Sequence, residues 1–403
     1  MTDADALADR VQDGEIPLHE LENHADPGTA AAARREFVRR ETGTELDAIG
    51  TFSFDPADAE TNVENLVGAA QVPIGLAGPV HVEGEAATGE YVLPLATTEG
   101  ALVASVNRGC SALEAAGGAT VRVTKREMTR APVFRVEDVA VGDDVAAWVR
   151  ANEDRLADAA EATTTHGELA SVTPYVVGDS VFVRFGFDTK DAMGMNMVTI
   201  ATAAAADLIE SETGADLVAL SGNMCTDKKP AAINAVEGRG RSVTADVRLP
   251  RDVVADRFDT TPEAIAAVNT RKNLVGSAKA GSLGFNAHAA NVVAAVFVAT
   301  GQDPAHVVEG ANAITTVEAR GDELYASVSF ASLELGTVGG GTTLPTQSEA
   351  LAVLGLAGGG DPPGSNADAL AEIIAAGALA GELSLLAALA SRHLAGAHED
   401  LGR

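Results

Sequence analysis

Lysine is scarce in this chain: Lys125, Lys190, Lys228, Lys229, Lys272 and Lys279 are the whole set among 403 residues. Basic charge of either kind is short, with Lys+Arg 28 against Asp+Glu 58 and a net charge of -30. That excess repels nucleic acid and anionic membrane surfaces, and no basic run opposes it locally. Cysteine is short too. Cys110 and Cys225 cannot build a disulfide framework and fit a reducing compartment. The longest unbroken apolar stretch, Val292–Ala299, is far shorter than the roughly 20 residues of a bilayer-spanning helix. The opening Met1-Thr2-Asp3-Ala4-Asp5 has neither the basic nor the apolar region of a signal peptide. A soluble, cytoplasmic protein is the expectation. Acidic surface, little lysine and many small residues also suit concentrated salt, where screening removes the self-repulsion. Unfolding or subunit dissociation is expected in dilute buffer, and a full circular-dichroism signal there counts against it.

The length allows two or three domains. Residues 1–50 are polar with helical spacing and carry no evident chemistry. Between about 132 and 219, strands at Val133–Val136, Ser171–Val177 and Val181–Phe187 alternate with helices at Val145–Thr163 and Val198–Thr213. This texture predicts a small α+β domain at 132–219, inserted into a larger one made of 51–131 and 220–403, because the chemistry-bearing motifs lie on both sides.

The densest of those motifs is Ser221-Gly222-Asn223-Met224-Cys225-Thr226-Asp227-Lys228-Lys229-Pro230-Ala231-Ala232-Ile233-Asn234. In a chain that elsewhere prefers arginine, an adjacent lysine pair points to a compact ammonium with a tunable pKa; the alternative is a turn whose lysines face water. Lys229 precedes proline and is biased to extended backbone, so the two lysines enter one site together only with difficulty. Upstream, Thr97-Thr98-Glu99-Gly100 opens an amphipathic helix through Ala101–Ala116 that carries Asn107 and Arg108. Thr98 is its expected N-cap. Glu99 either favours the helix dipole or serves as a proton donor, which requires burial or a second carboxylate. Arg130 follows a β-type run.

Asp191-Ala192-Met193-Gly194-Met195-Asn196-Met197 precedes an alanine-rich helix; its methionines are either core filler or flank a glycine that brings backbone N–H groups to a phosphate. No dinucleotide fingerprint and no P-loop is present. Glu237-Gly238-Arg239-Gly240-Arg241 reads as a turn. Asn286–Thr300 is apolar on nearly every face and is expected to be the buried central helix, with His288 and Asn291 one turn apart. Asp303 before Pro304 is a cap signature. The glycines of Gly336–Thr343, with Gly339 and Gly340, are a flexible turn or a close approach to a phosphate. Helices within Ala367–Leu394 are expected to break at Gly377 and Gly381. His393 and His398 fall on different faces, and His398 is a solvated tail residue or a general acid on a flap. A rival chemistry makes Cys225 or Cys110 an acyl nucleophile with His398 or His288 as base.

Taken together, the blocks ENLVG, TTEGALVASVNRGC, DAMGMNM, SGNMCTDKKPAAIN, GSLGFNAHAANVVAA with GQD, GTVGGGT and LSLLAALASRHLAGAH resemble the hydroxymethylglutaryl-CoA reductase family, eukaryote-like and archaeal class, from Glu64 nearly to the C-terminus. The resemblance implies an α+β fold: a large helical domain around a buried central helix, with an inserted small ferredoxin-like domain. It implies Glu99, Lys228, Asp303 and His398 as the catalytic set. Arg130, Ser221, Asp227, Lys229, Lys272, His288 and Asn291 would hold the hydroxymethylglutaryl group, and Asn107 and Arg108 the coenzyme A. Asp191, Met193, Gly194, Met195, Asn196, Gly339 and Gly340 would contact NADPH. No metal is implied. Glu99 and Asp303 would share a proton beside Lys228, and the sites would form between subunits of a homodimer or homotetramer. Ala235 departs from the family, which commonly has tryptophan there.

Overall fold

A 26-residue helix, Ser365–Ala390, runs through the middle of the larger hydrophobic core. Alanine and leucine dominate it, so it combines high helix propensity with an apolar surface on every side. Gly377 and Gly381 do not break it. They let neighbours approach: a Cβ at Gly377 would stand 2.8 Å from Leu93 Cδ1, and one at Gly381 would stand 3.3 Å from the His288 ring. The shorter Ala289–Thr300 is buried as expected and packs against this helix, which is the longest buried element among the described residues and takes the central place expected of the shorter one. By length and composition it could cross a membrane, but 83% of its most apolar window is buried inside the protein, so it serves as core.

The structure is a computed structural model that describes residues 3–391. Its ten strands are β1 (Ile74–Glu83), β2 (Thr88–Ala96), β3 (Ala119–Arg130), β4 (Val133–Arg135), β5 (Glu168–Val177), β6 (Ser180–Asp188), β7 (Asp216–Ala219), β8 (Arg239–Pro250), β9 (Ile314–Arg320) and β10 (Glu323–Leu333). The long path runs β7-β4-β6-β3-β8-β10-β9, with β1 and β2 at β3 and β5 against β6. All pairs are antiparallel except the short β1–β3 contact. The part outside 132–219 sets six strands, β1–β3 and β8–β10, among its more numerous helical residues and is mixed α+β.

Two hydrophobic clusters share this sheet. The larger draws on residues 77–123 and 243–387; the smaller uses only residues between Met128 and Leu220. The strand β3 joins them, since Thr120–Glu127 pairs with β8 while Met128–Arg130 pairs with β6. The two helices of the smaller cluster's first half are Val139–Ala151 and Glu153–Glu161, separated at Asn152, where one continuous helix was expected. Thr98 caps nothing. The next helix begins at Leu102, after Ala101 at φ 69°.

Buried acids tie outlying segments to the central helix. Glu372 accepts the backbone N–H groups of Glu85, Ala86 and Ala87, and Glu382 accepts those of Ala287 and His288 plus the Thr315 hydroxyl. Buried donors cost about 1–3 kcal/mol each when unmet, so these contacts fix the loops they hold. Glu382 in particular sets where His288 begins the Ala289–Thr300 helix.

Candidate functional site

The segment 221–234 is a built loop and not a solvated turn. Three of its non-glycine residues, Asn223, Thr226 and Lys228, take positive φ, a strained conformation that persists only where surroundings over-determine it. The surroundings do so. Gly222 N donates to Ala131 O, and the buried Asn234 amide donates to the carbonyls of Cys225 and Thr226 and to Glu309. At φ 58°, Lys228 turns its amine to Asp303, with Nζ 2.7 Å from Oδ2. Lys229 points away, donating to Asp227 O. One lysine reaches Asp303 and the other does not, because the left-handed backbone at Lys228 aims the two side chains apart.

Asp303 is the N-cap that the Asp-Pro pair announces, accepting from Ala305 N at 3.0 Å. Burial pushes its carboxyl up, but the Lys228 hydrogen bond, the Ala305 N–H and the charge of His306 leave it below the ordinary aspartate value. The same contact raises Lys228. The pair is thus an ion pair at neutral pH. Asp227 lies behind it, held by Arg239 at 2.9 Å.

Glu99 is elsewhere. Its Oε1 accepts from Asn291 Nδ2 at 3.2 Å, Asn291 Nδ2 lies 3.3 Å from His288 Nδ1, and Lys272 donates to the carbonyl of Ala287. These four residues gather at the N-terminal end of the Ala289–Thr300 helix, whereas Lys228 and Asp303 gather past its C-terminal end. Twelve residues of helix are about 18 Å long. Within one chain the expected proton sharing between Glu99 and Asp303 is therefore not found among the described residues, and Asp303 shifts down where sharing would shift one carboxyl up.

A cavity of about 570 Å³ opens beside Asp303, lined by Met193, Gly194, Met195 and Asn196 on one side and by Gly339 and Gly340 on the other. Its walls are pinned together: the Gln302 amide exchanges two hydrogen bonds with the Gly336 peptide, and Thr337 N donates to Asp191 O. The helix Met195–Thr213 starts at this cavity, after Gly194 at φ 85°, with no side chain capping its first N–H groups. Free N–H groups and the positive end of a 19-residue helix suit an anion.

Several expected ligands are occupied otherwise. Asp191 is buried, and its carboxylate accepts N–H groups of Gly360, Gly364 and Ala367, capping the central helix from a distance. Its carboxylate serves as an anchor of that helix. Asp191→Ala is expected to lower stability by on the order of 3 kcal/mol or more in chemical denaturation, through three orphaned donors. Dinucleotide affinity of the folded fraction should be unchanged; a selective loss of affinity at full stability would restore the ligand role. Asn107 accepts Gly78 N at 2.7 Å, and Arg108 donates to the Ser384 hydroxyl and carbonyl at 3.0 and 2.6 Å. These bonds use the Asn107 oxygen and two of the three Arg108 nitrogens, so the Asn107 Nδ2 and Arg108 Nη1 groups are what is left for the coenzyme A role expected of them. Arg130 donates to Thr199, and Ser221 Oγ lies 3.6 Å from Cys225 Sγ. His398 lies outside the described residues.

The cysteine-nucleophile rival loses its support. Both thiols are buried, burial pushes Cys110 up to about 12, and His288 Nε2 is engaged by Gly381 O.

The sequence reading missed Arg239, His306, Glu309 and Glu334, all buried just behind the pair. Arg239 lies between two glycines that suggest a turn, yet it begins β8. His306 and Glu309 follow Asp303 at helical spacing, which was the available signal.

A family profile described as hydroxymethylglutaryl-coenzyme A reductase matches residues 30–403. The chain belongs to the hydroxymethylglutaryl-coenzyme A reductase family and is an enzyme. It is 72% identical over 402 residues to the 3-hydroxy-3-methylglutaryl-coenzyme A reductase of Halobacterium salinarum, covering 100% of this chain and 99% of the relative. To the reductase of Haloferax volcanii it is 68% identical over 403 residues, covering 100% of both. Against the class II reductase of Streptococcus pneumoniae, solved bound to NADPH in open conformations, the TM-score is 0.68 at 20% identity, covering 93% of this chain and 100% of that one. That likeness establishes the common fold. The halophilic reductases among its relatives agree with the salt reading of its composition.

Proposed function

We propose that the protein reduces (S)-hydroxymethylglutaryl-CoA to (R)-mevalonate and coenzyme A with NADPH, by two successive hydride transfers. The observation that carries this is the Lys228–Asp303 ion pair, 2.7 Å long, set at a cavity lined by an uncapped helix start and by glycines. A hydride arriving at a thioester carbon leaves negative charge on the carbonyl oxygen. A preorganised ammonium is the group that stabilises it, and removal of one such donor typically costs about 10²–10³ in rate. Met193–Asn196 with Gly339 and Gly340 would take the dinucleotide, its pyrophosphate at the Met195 helix start. NADPH, when bound, supplies the hydride; the residues of this chain place the acceptor carbon and stabilise its oxygen.

The opposite-end arrangement supports a site shared between subunits, Glu99, Asn291, His288 and Lys272 of one meeting Lys228, Asp303 and Asp227 of another in a homodimer or homotetramer. By family resemblance, Arg130, Ser221 and Lys229 would hold the substrate's free carboxylate, Lys229 after leaving the Asp227 carbonyl. By family resemblance, His398 would protonate the departing thiolate. We also treat 132–219 as an inserted ferredoxin-like domain, on the strength of its own cluster and its strand order β7-β4-β6-β5. Two buried free thiols suit a cytoplasmic location.

The test is purified protein with hydroxymethylglutaryl-CoA and NADPH in molar potassium chloride. Absorbance loss and thiol release are followed together. Two cofactors consumed per thiol is the expected result; one means arrest at the aldehyde, and none with substrate bound removes the reading.

A further inference from the structure

Arg130 stands where three parts of the site meet. It is the last residue of β3, the strand that both hydrophobic clusters share, and it pairs there with Phe185 of β6. The next residue, Ala131, accepts Gly222 N at 2.7 Å and so holds the entrance of the loop that carries Lys228. A Cβ on Gly222 would stand 2.7 Å from Val133 and 2.9 Å from Phe182, so that junction is closely packed as well as bonded. On its other side Arg130 reaches the helix Met195–Thr213, whose start lines the 570 Å³ cavity.

The contact with that helix is specific in its atoms. Thr199 Oγ1 accepts from Arg130 Nε at 3.1 Å and from Nη2 at 2.8 Å, and it donates to Met195 O at 2.8 Å. A hydroxyl has one proton and two lone pairs, so Thr199 is fully used: the proton goes to the helix and the lone pairs take the guanidinium. The direction cannot reverse, because a guanidinium accepts nothing. A threonine that bonds back to the carbonyl four residues earlier slightly destabilises its own helix, so the helix alone does not account for this residue.

The free edge of the guanidinium follows. Nε and Nη2 face the helix, which leaves the edge formed by Nη1 and the second Nη2 proton. Two parallel N–H groups on one edge match the two oxygens of a carboxylate. Among the described residues no Asp or Glu forms an ion pair with Arg130, although the chain carries a net charge of -30. The threonine also sets a distance. Met195 is the first residue of the helix and Thr199 lies one turn on, about 6 Å along the axis. An anion at the helix start and a carboxylate on Arg130 are therefore held by a single rigid turn. Met195 steadies that turn from the other side, its sulfur 2.9 Å from Arg239 Nη2, which also donates to Asp227.

We propose that Thr199 is a positioning residue: by taking the Nε–Nη2 edge of Arg130, it aims the remaining edge at the substrate's free carboxylate and keeps that carboxylate in register with the dinucleotide. The proposal rests on the reductase reading above, and on the place that reading gives Arg130. Thr199 itself lies two residues past the DAMGMNM block. It touches neither ligand in this role and acts only through the arginine.

The experiment compares wild type, Thr199→Val, Thr199→Ser, Arg130→Met and the Thr199→Val/Arg130→Met double variant. Steady-state constants for both substrates and melting temperatures are measured in molar potassium chloride. Valine keeps the shape of threonine without its hydroxyl, and serine keeps the hydroxyl without the methyl. Thr199→Val is expected to raise KM for hydroxymethylglutaryl-CoA about 10-fold, the scale of one hydrogen bond to a charged group. Its kcat should change less, and its KM for NADPH and melting temperature should stay near wild type. Thr199→Ser should keep the wild-type KM. In the Arg130→Met background the valine should raise KM no further, because the hydroxyl then has nothing to hold. Wild-type KM in a fully folded Thr199→Val would overturn the proposal. So would a serine variant that behaves like valine, full additivity with Arg130→Met, or an Arg130→Met enzyme of unchanged KM. An equal rise in KM for NADPH would also overturn it, because that is the signature of a distorted helix start. If the wild type itself oxidises no NADPH, the reductase reading has failed and the proposal falls with it.

Discussion

Replacing Lys228 by alanine is expected to lower kcat by at least about 10²–10³-fold while the melting temperature stays within a degree or two of wild type. The two halves of that result have different causes. In the proposed reaction the ammonium would meet the charge that gathers on the carbonyl oxygen, so its loss would act on the transition state, equally in kcat and kcat/KM. Its ion pair with Asp303 is half exposed, at 45% and 29% of the two side chains, and such pairs contribute roughly 0–1 kcal/mol to folding. The backbone strain at φ 58° is common to lysine and alanine and cancels. Rate assays beside thermal melts check it. Retained turnover would pass the role to Lys229, which in this structure turns to Asp227 O.

Arg239→Met should act the other way, on the fold first. This guanidinium is wholly buried and is hydrogen-bonded to Glu309 and Asp227, with Glu334 at 3.6 Å. Burial works against its charge, and Glu334, Glu309 and Asp227 outweigh that and raise its pKa. Removing one partner of a buried ionic group leaves uncompensated charge and costs on the order of 3–5 kcal/mol. The pH dependence gives the cause away. Without Arg239 the buried carboxyls should have folded values above their unfolded ones, so the folded state binds more protons. Stability then falls as pH rises through and above the ordinary carboxylate range, and the variant should be firmer at pH near 5 than near 8. Adding Glu309→Gln should recover part of the loss. Denaturant midpoints for the single and double variants at both pH values check this, and a pH-independent loss would mean a packing defect instead.

Much of the site was legible locally. Asp303 before Pro304 announced a cap, and Asp303 caps. Two adjacent lysines were expected to enter one site only with difficulty, and Lys228 reaches Asp303 while Lys229 turns to the Asp227 carbonyl. Strands β4 and β6 follow apolar runs and fall within a residue of their expected ends. The failures share a different feature. Asp191 sat in a motif that reads as a ligand segment, but the N–H groups that claim it are some 170 residues away. Arg239 looked like a turn residue between glycines, and its partner Glu309 is 70 positions on. Gly377 and Gly381 looked like breaks because a glycine's local cost is visible in sequence and the neighbour that needs its missing side chain is not.

The sequence by itself determined the acidic, lysine-poor composition, the places of strands such as β4 and β6, the family, and which residue types could meet a developing oxyanion. These follow from short-range sterics, periodicity and composition, which a linear chain carries in full. Only the tertiary structure decided which polar groups are spent on holding the fold and which stay free to act. That depends on what stands opposite a buried charge, and in a core of low dielectric a partner across the chain outweighs any neighbour along it.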